Sequence, residues 1–379
     1  MLLCQTAGWL ARLFLFLKPV TCSASGGNSN GNGNGTDANA NATVPAPPPP
    51  VAVPSAPAVN DHRVVVYYQT TNRNNSATSH ISLLPLLEAA PSISVTHVLV
   101  GAIHIVDEDG GIRLNDYPPE NPFFDGVWAD VAQLQAAGVT VMGMLGGAAR
   151  GSFRRLDGDD AQFERYYGPL RDFVGTYNLQ GLDLDVEEAM SLGGVVRLID
   201  RLKADFGDGF VVSLAPVASA LTAGGGNLSG FDYGELEASR GGRIAFYNAQ
   251  FYFGWGDASR AADYEAILDD GFPAAKVVMG VLTSPANGNG YVSLSRHAPV
   301  LAELAAENPA FGGVAGWEYF NSLPGGGAAP WQWAAWVADH IRSAGTKRDI
   351  STTEAVWRGV RKAGRRVRRG AKVYRDYIA

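Results

Sequence analysis

Cysteine is nearly absent: the chain of 379 residues has two, Cys4 and Cys22, both ahead of residue 26. From there on neither a disulfide nor a cysteine-based metal site can be built. Histidine is also scarce, with six scattered residues and no H-E-x-x-H helix, so no metal and no cofactor is expected. No apolar run reaches the roughly 18 to 20 residues of a membrane-spanning helix. Basic residues are thin over most of the chain. Residues 341–379 carry 12 Lys and Arg against 3 acids, which leaves residues 1–340 with 18 against 34 within a formal net charge of -7. An acidic body of this kind argues against nucleic acid as a partner.

The two ends differ from the body. Residues 1–25 resemble a secretory signal that ends in small residues, which predicts secretion; Arg12 and Lys18 interrupt its apolar core and keep a cytoplasmic location as the alternative. Residues 26–61 are a Gly/Asn-rich and then Pro-rich tract, expected to be a disordered linker. Residues 344–379 form a basic tail whose Val356, Val360, Ala363 and Val367 share one helical face, able to touch an anionic membrane or the acidic body.

From Arg63 one theme repeats: a short apolar strand, a loop, then an amphipathic helix. Strands are expected at 64–69, 95–105, 139–145, 181–187, 210–216, 244–252, 276–282 and 312–320, followed by helices at 80–90, 123–137, 160–178, 191–206, 232–240, 259–270, 293–307 and 329–343. Eight such pairs match the roughly 250 residues of an α/β (β/α)8 TIM barrel, here a single domain over 62–343 and expected to be monomeric. An open doubly wound sheet is the alternative, but no G-x-G-x-x-G follows the first strand and no G-x-x-x-x-G-K-[ST] occurs.

The fourth of these strands, GLDLDVE, sets Asp183, Asp185 and Glu187 two residues apart. On a strand they share one face. Such alternation is usually the solvated face of an antiparallel strand, but between two amphipathic helices it belongs to a parallel sheet, where the acids would be buried together. Crowded carboxyls hold protons to unusually high pH, which suits a general acid. Catalysis in a barrel sits at the C-terminal ends of the strands, so Glu187 is outermost and Asp183 deepest. Glu188 has the opposite parity and is expected to be a surface or loop acid.

LQGLDLDVE resembles the Asp-Gly-x-Asp-x-Asp-x-Glu signature of family 18 glycoside hydrolases, which include chitinases and endo-β-N-acetylglucosaminidases. MLGGAA (144–149) resembles the third-strand motif of that family, QFY (250–252) its sixth strand, and Trp317 its eighth-strand tryptophan. Over about residues 64–340 stretches such as YYQTTN, SLAPVASAL and GGVAGWEYFNSLPGG are similar to the fungal endo-β-N-acetylglucosaminidases of the Endo T kind. Two positions depart from the signature. Gln180 replaces its first Asp and is expected to face the helices; Met144 replaces the third-strand serine beside the deepest acid.

The resemblance implies a retaining, substrate-assisted mechanism on N-acetylglucosamine-containing glycans, in which the substrate's acetamide is the nucleophile. Glu187 would be the acid and base, Asp185 the orienter of the acetamide N–H, and Asp183 would share a proton with Asp185. Tyr252 would bond the acetamide carbonyl and Trp317 floor the sugar subsite. Gln250 and Asn248, of the same parity as Tyr252, and Tyr67 on the first strand are the other expected substrate-binding residues. Cleavage between the two core N-acetylglucosamines of N-glycans is the favoured reaction, chitin hydrolysis the alternative, and a non-catalytic lectin the third.

Overall fold

The computed structural model describes residues 62–88, 93–107 and 111–342; the signal-like segment, the linker and the basic tail lie outside the described residues. The strands are β1 (Arg63–Tyr68), β2 (His97–Ile105), β3 (Ile112–Leu114), β4 (Thr140–Gly146), β5 (Gly181–Asp185), β6 (Val211–Leu214), β7 (Phe246–Gln250), β8 (Val277–Leu282) and β9 (Gly313–Trp317). The sheet order is β1-β9-β8-β7-β6-β5-β4-β2-β3, and β1 also pairs with β2. All strands but β3 are therefore joined in a closed parallel ring, the expected (β/α)8 barrel. β3 is an antiparallel addition to the end of β2, with Ile103 opposite Leu114, and was not foreseen from a run as short as IRL.

Side-chain parity divides the apolar residues into two cores. Val65, Tyr67, Leu99, Met142, Met144, Phe246, Val278 and Ala315 pack together inside the barrel. Their strand neighbours, such as Val64, Val66, Val98, Leu182, Leu184 and Val314, belong to the shell between sheet and helices. Because Leu182 and Leu184 face that shell, Asp183 and Asp185 must face the barrel axis.

The helices are α1 (Pro85–Glu88), α2 (Asp125–Ala136), α3 (Ser152–Leu156), α4 (Asp160–Thr176), α5 (Leu192–Phe206), α6 (Tyr233–Arg240), α7 (Ala262–Asp269), α8 (Leu294–Glu307) and α9 (Gln332–Arg342). Three of them start where the sequence supplies a cap: Asp159, Ser191 and Asp232 accept from the N–H groups of Gln162, Gly194 and Glu235, each at 2.9 Å. The first helix starts later than its expected 80–90. The backbone before it is used elsewhere: Ile81 N–H donates to the Thr71 carbonyl, Tyr68 donates to the Ile81 carbonyl and Leu83 N–H donates to the buried Asp130. Gln180 lies outside the axis as expected, accepting from Val141 N–H at 2.8 Å.

Candidate active site

β5 lies between β4 and β6, with Asp183 beside Met144 on one side and Ser213 on the other. Asp183 is fully buried, yet it is well supplied with donors. Its Oδ1 accepts from Ser213 Oγ at 2.6 Å and Asn248 Nδ2 at 3.1 Å, and its Oδ2 from Tyr67 Oη at 2.7 Å. Burial raises its pKa, and the bonds from Ser213, Tyr67 and Asn248 oppose the rise.

Asp185 is poorer in donors. Among the described residues only Gln250 Nε2, at 3.1 Å, reaches its carboxyl, while burial and the charges of Glu187 and Asp183 push its pKa well above the usual carboxylate range. Glu187, two residues beyond the end of β5, is half-buried. Burial raises its pKa, whereas Gln250 and the charge of Arg150 lower it. In a row of acids so placed the protonated form is favoured, most of all at Asp185, which has an acid on either side.

The residues expected around the acids converge on them, though not all in the expected manner. Gln250 Nε2 also donates to the Ala215 carbonyl at 2.9 Å and stands 3.5 Å from Glu187 Oε1, so it links the two outer acids. Asn248 and Tyr67, expected on the substrate, are buried and engaged on Asp183. Asp183 takes its donors from β1, β6 and β7, and Asp185 takes one from β7. Tyr252 lies just past β7, and among the described residues no group accepts from its hydroxyl. Burial and the neighbouring acids raise its pKa, keeping it a proton donor. Trp317, partly exposed at the end of β9, tilts its ring over Tyr67 at 5.4 Å between centroids.

Two participants were missed. Ser213 is the lone polar residue of the VVSL strand, and its polarity inside an apolar run was the available signal. Glu188 is a correction: it is 9% exposed and accepts from Gly151 and Phe153 N–H groups, so it is a buried acid rather than a surface one. Parity placed it off the axis but could not show that backbone donors wait there. Met144 takes the place beside Asp183 as an apolar neighbour only, and Tyr67, Ser213 and Asn248 supply the hydrogen bonds. Among the described residues no three His, Cys, Asp or Glu side chains are arranged to hold a metal ion.

No protein-family model matches the chain. It is similar to individual proteins, however. It is 54% identical to a chitinase of Aspergillus fumigatus whose structure superposes with a TM-score of 0.67, covering 73% of this chain and 98% of that one. It is 48% identical to a fungal endo-β-N-acetylglucosaminidase from glycosyl hydrolase family 18, with a TM-score of 0.70, covering 74% and 98%. Chitinase 2 of Rhizopus oligosporus is 26% identical over 292 residues, which are 69% of this chain and 50% of that protein. The chain spans about half the length of the curated relatives it matches. Since both solved structures match at about half identity over nearly their whole lengths, on a barrel of the same class, the chain belongs to glycoside hydrolase family 18.

Proposed function

We propose that the protein is an endo-β-N-acetylglucosaminidase that cleaves the β-1,4 bond between the two core N-acetylglucosamines of N-glycans, with retention and with the substrate's acetamide as nucleophile. The observation that carries this reading is the graded row of acids, of which only the outermost, Glu187, is open to the barrel mouth. Glu187 passes its proton to the glycosidic oxygen as the acetamide carbonyl attacks the anomeric carbon. Asp185 accepts the acetamide N–H, and as the positive charge of the oxazolinium ion develops the proton that crowding holds on Asp185 passes to Asp183, leaving a negative charge on Asp185 to offset it. Tyr252, whose hydroxyl no described residue accepts from, donates to the acetamide carbonyl and aims it. Glu187, now ionised, takes a proton from water, which opens the ring from the face the leaving group left. Trp317 offers its ring to the apolar face of the sugar.

Asp183, Asn248, Ser213 and Tyr67 form the support beneath. The 48% identity with a fungal endo-β-N-acetylglucosaminidase and the likeness of stretches over about residues 64–340 support the N-glycan reading. The chitin reading rests on the 54% identity with the Aspergillus chitinase and uses the same chemistry, because both substrates carry the acetamide. A lectin reading needs the acid lost, and Glu187 is present. Both substrates are extracellular polymers or secreted conjugates, in keeping with the secretion proposed from residues 1–25.

Digestion of a high-mannose glycoprotein beside a chitin oligosaccharide, read by mass spectrometry, tests the choice. One N-acetylglucosamine left on the protein, with the oligosaccharide intact, is the expected result. Shortened oligosaccharide beside an untouched glycoprotein would replace it with the chitinase reading.

A further inference from the structure

Glu188 follows the proposed acid directly, yet its side chain turns away from the axis. Both its oxygens accept from Gly151 N–H, at 2.8 and 2.9 Å, and Oε1 also accepts from Phe153 N–H at 2.9 Å. Gly151 has a φ of +123°, a conformation costly for any residue with a Cβ, so the sequence reserves this turn for the clamp. The residue it carries immediately before the turn is Arg150.

The same loop is fastened at its other end. Gly147 N–H donates to the Asp185 carbonyl at 2.9 Å, and a Cβ on Gly146 would meet that carbonyl oxygen at 2.5 Å. Residues 147–151 are thus strung between two anchors on the acid-bearing segment, one at Asp185 and one at Glu188, with Glu187 between them. Arg150 is exposed, and among the described residues no acid or carbonyl is hydrogen-bonded or ion-paired to its guanidinium. Among the described residues, the titratable groups whose charges act on Glu187, or on which its charge acts, are Asp185 on β5, Tyr233 of α6, Tyr252 beyond β7, and Arg150. Arg150 is the cation of that set.

We propose that Arg150, seated by the Glu188 clamp, is a positioning residue for the acid–base work of Glu187: its charge stabilises the carboxylate left when the Glu187 O–H bond breaks and the proton moves to the leaving oxygen. The inference rests on the assignment of Glu187 as the acid. It also gives a buried acid next to the site a reason to be there, since an uncharged residue of opposite parity would leave the loop, and the arginine with it, unfixed.

The general acid must be protonated, so activity falls as pH rises through the pKa of Glu187. Removing a nearby cation raises that pKa and moves the alkaline limb of the kcat profile to higher pH. The limb is measured on whichever of the glycopeptide and the chitin oligosaccharide the protein cleaves. Arg150→Ala is expected to move it upward, Arg150→Lys to leave it near the wild-type position, and Glu188→Ala to move it in the same direction as Arg150→Ala. The double variant Arg150→Ala/Glu188→Ala should move it no further than the larger of the two. An unmoved limb in Arg150→Ala, a protein whose altered side chain is on the surface, would overturn the proposal. So would a Glu188→Ala protein that melts at lower temperature but keeps the wild-type limb, because the clamp would then be structural only. Glu187→Gln assayed in parallel separates the two layers: if it keeps its activity the acid assignment itself fails, whereas an inactive Glu187→Gln with an unmoved Arg150→Ala limb sinks only the role of Arg150.

Discussion

The two ends of the acid row carry the same functional group in opposite surroundings. At the deep end Asp183 has no contact with solvent but receives three hydrogen bonds, from β1, β6 and β7. At the mouth Glu187 is half-buried, and among the described residues its one hydrogen-bond partner is Gln250, at 3.5 Å. Burial raises the pKa of both; three donors oppose the rise at the bottom, whereas at the top Gln250 and then the charge of Arg150 oppose it. Supply of donors, more than depth, decides which carboxyl is a fixed support and which is free to exchange a proton with a ligand. Asp185 lies between these limits, with one donor and an acid on either side.

That contrast can be broken by substitution at each level. The largest effect is expected at the mouth. Glu187→Gln should lower kcat by about 10²- to 10⁴-fold, the usual worth of a general acid, with an unchanged circular dichroism spectrum. The same variant should melt at higher temperature than the wild type. A carboxyl whose folded pKa is raised favours folding while protonated, and that contribution is lost as pH rises through the raised value. The gain in melting temperature should therefore be greater at neutral pH than at about pH 4, where both proteins carry a neutral side chain at this position for much of the time. Asp185→Asn follows, with a loss of about 10²- to 10³-fold in kcat from the missing charge beside the oxazolinium ion. Steady-state rates on an N-acetylated substrate check both.

Tyr252→Phe should cost about tenfold in kcat, close to the worth of one hydrogen bond made in the transition state. The smallest effect on rate belongs to the deep end. Ser213→Ala leaves the buried Asp183 one donor short, and denaturant unfolding should show a loss of about 1 to 3 kcal/mol at neutral pH. Removing that donor raises the folded pKa of Asp183 further, so the loss should shrink as pH falls and the carboxyl protonates. A Ser213→Ala protein that loses rate as severely as Glu187→Gln would erase the distinction between support and reacting group.

How much of this was legible beforehand follows from how local each signal is. The barrel could be read because eight strands and eight helices each carry their own period, and the facing of the acids because parity needs only the strand itself. Glu188 could not be read, since its donors are backbone N–H groups 35 and 37 residues away, in the first turn of α3 and just before it. Tyr67 and Asn248 were expected on the substrate and donate to Asp183; a strand position gives the face and not the partner at its tip. The late start of α1 had the same origin: Asp130, far along the chain, takes the Leu83 N–H and the Ser82 hydroxyl just ahead of the helix. Pro85, lacking an N–H, is suited to open the helix that follows.

The central claim is that the protein supplies one acid and the substrate supplies the nucleophile. It is tested most directly by comparing kcat/KM for an N-acetylated oligosaccharide with that for the same oligosaccharide bearing a free amine on the sugar at the cleavage site. Near-complete loss of cleavage on removal of the acetyl group is the result expected of an acetamide nucleophile. Cleavage of both at similar rates would mean that a protein carboxyl or a water attacks the anomeric carbon, and the roles given to Asp185 and Tyr252 would have to be abandoned.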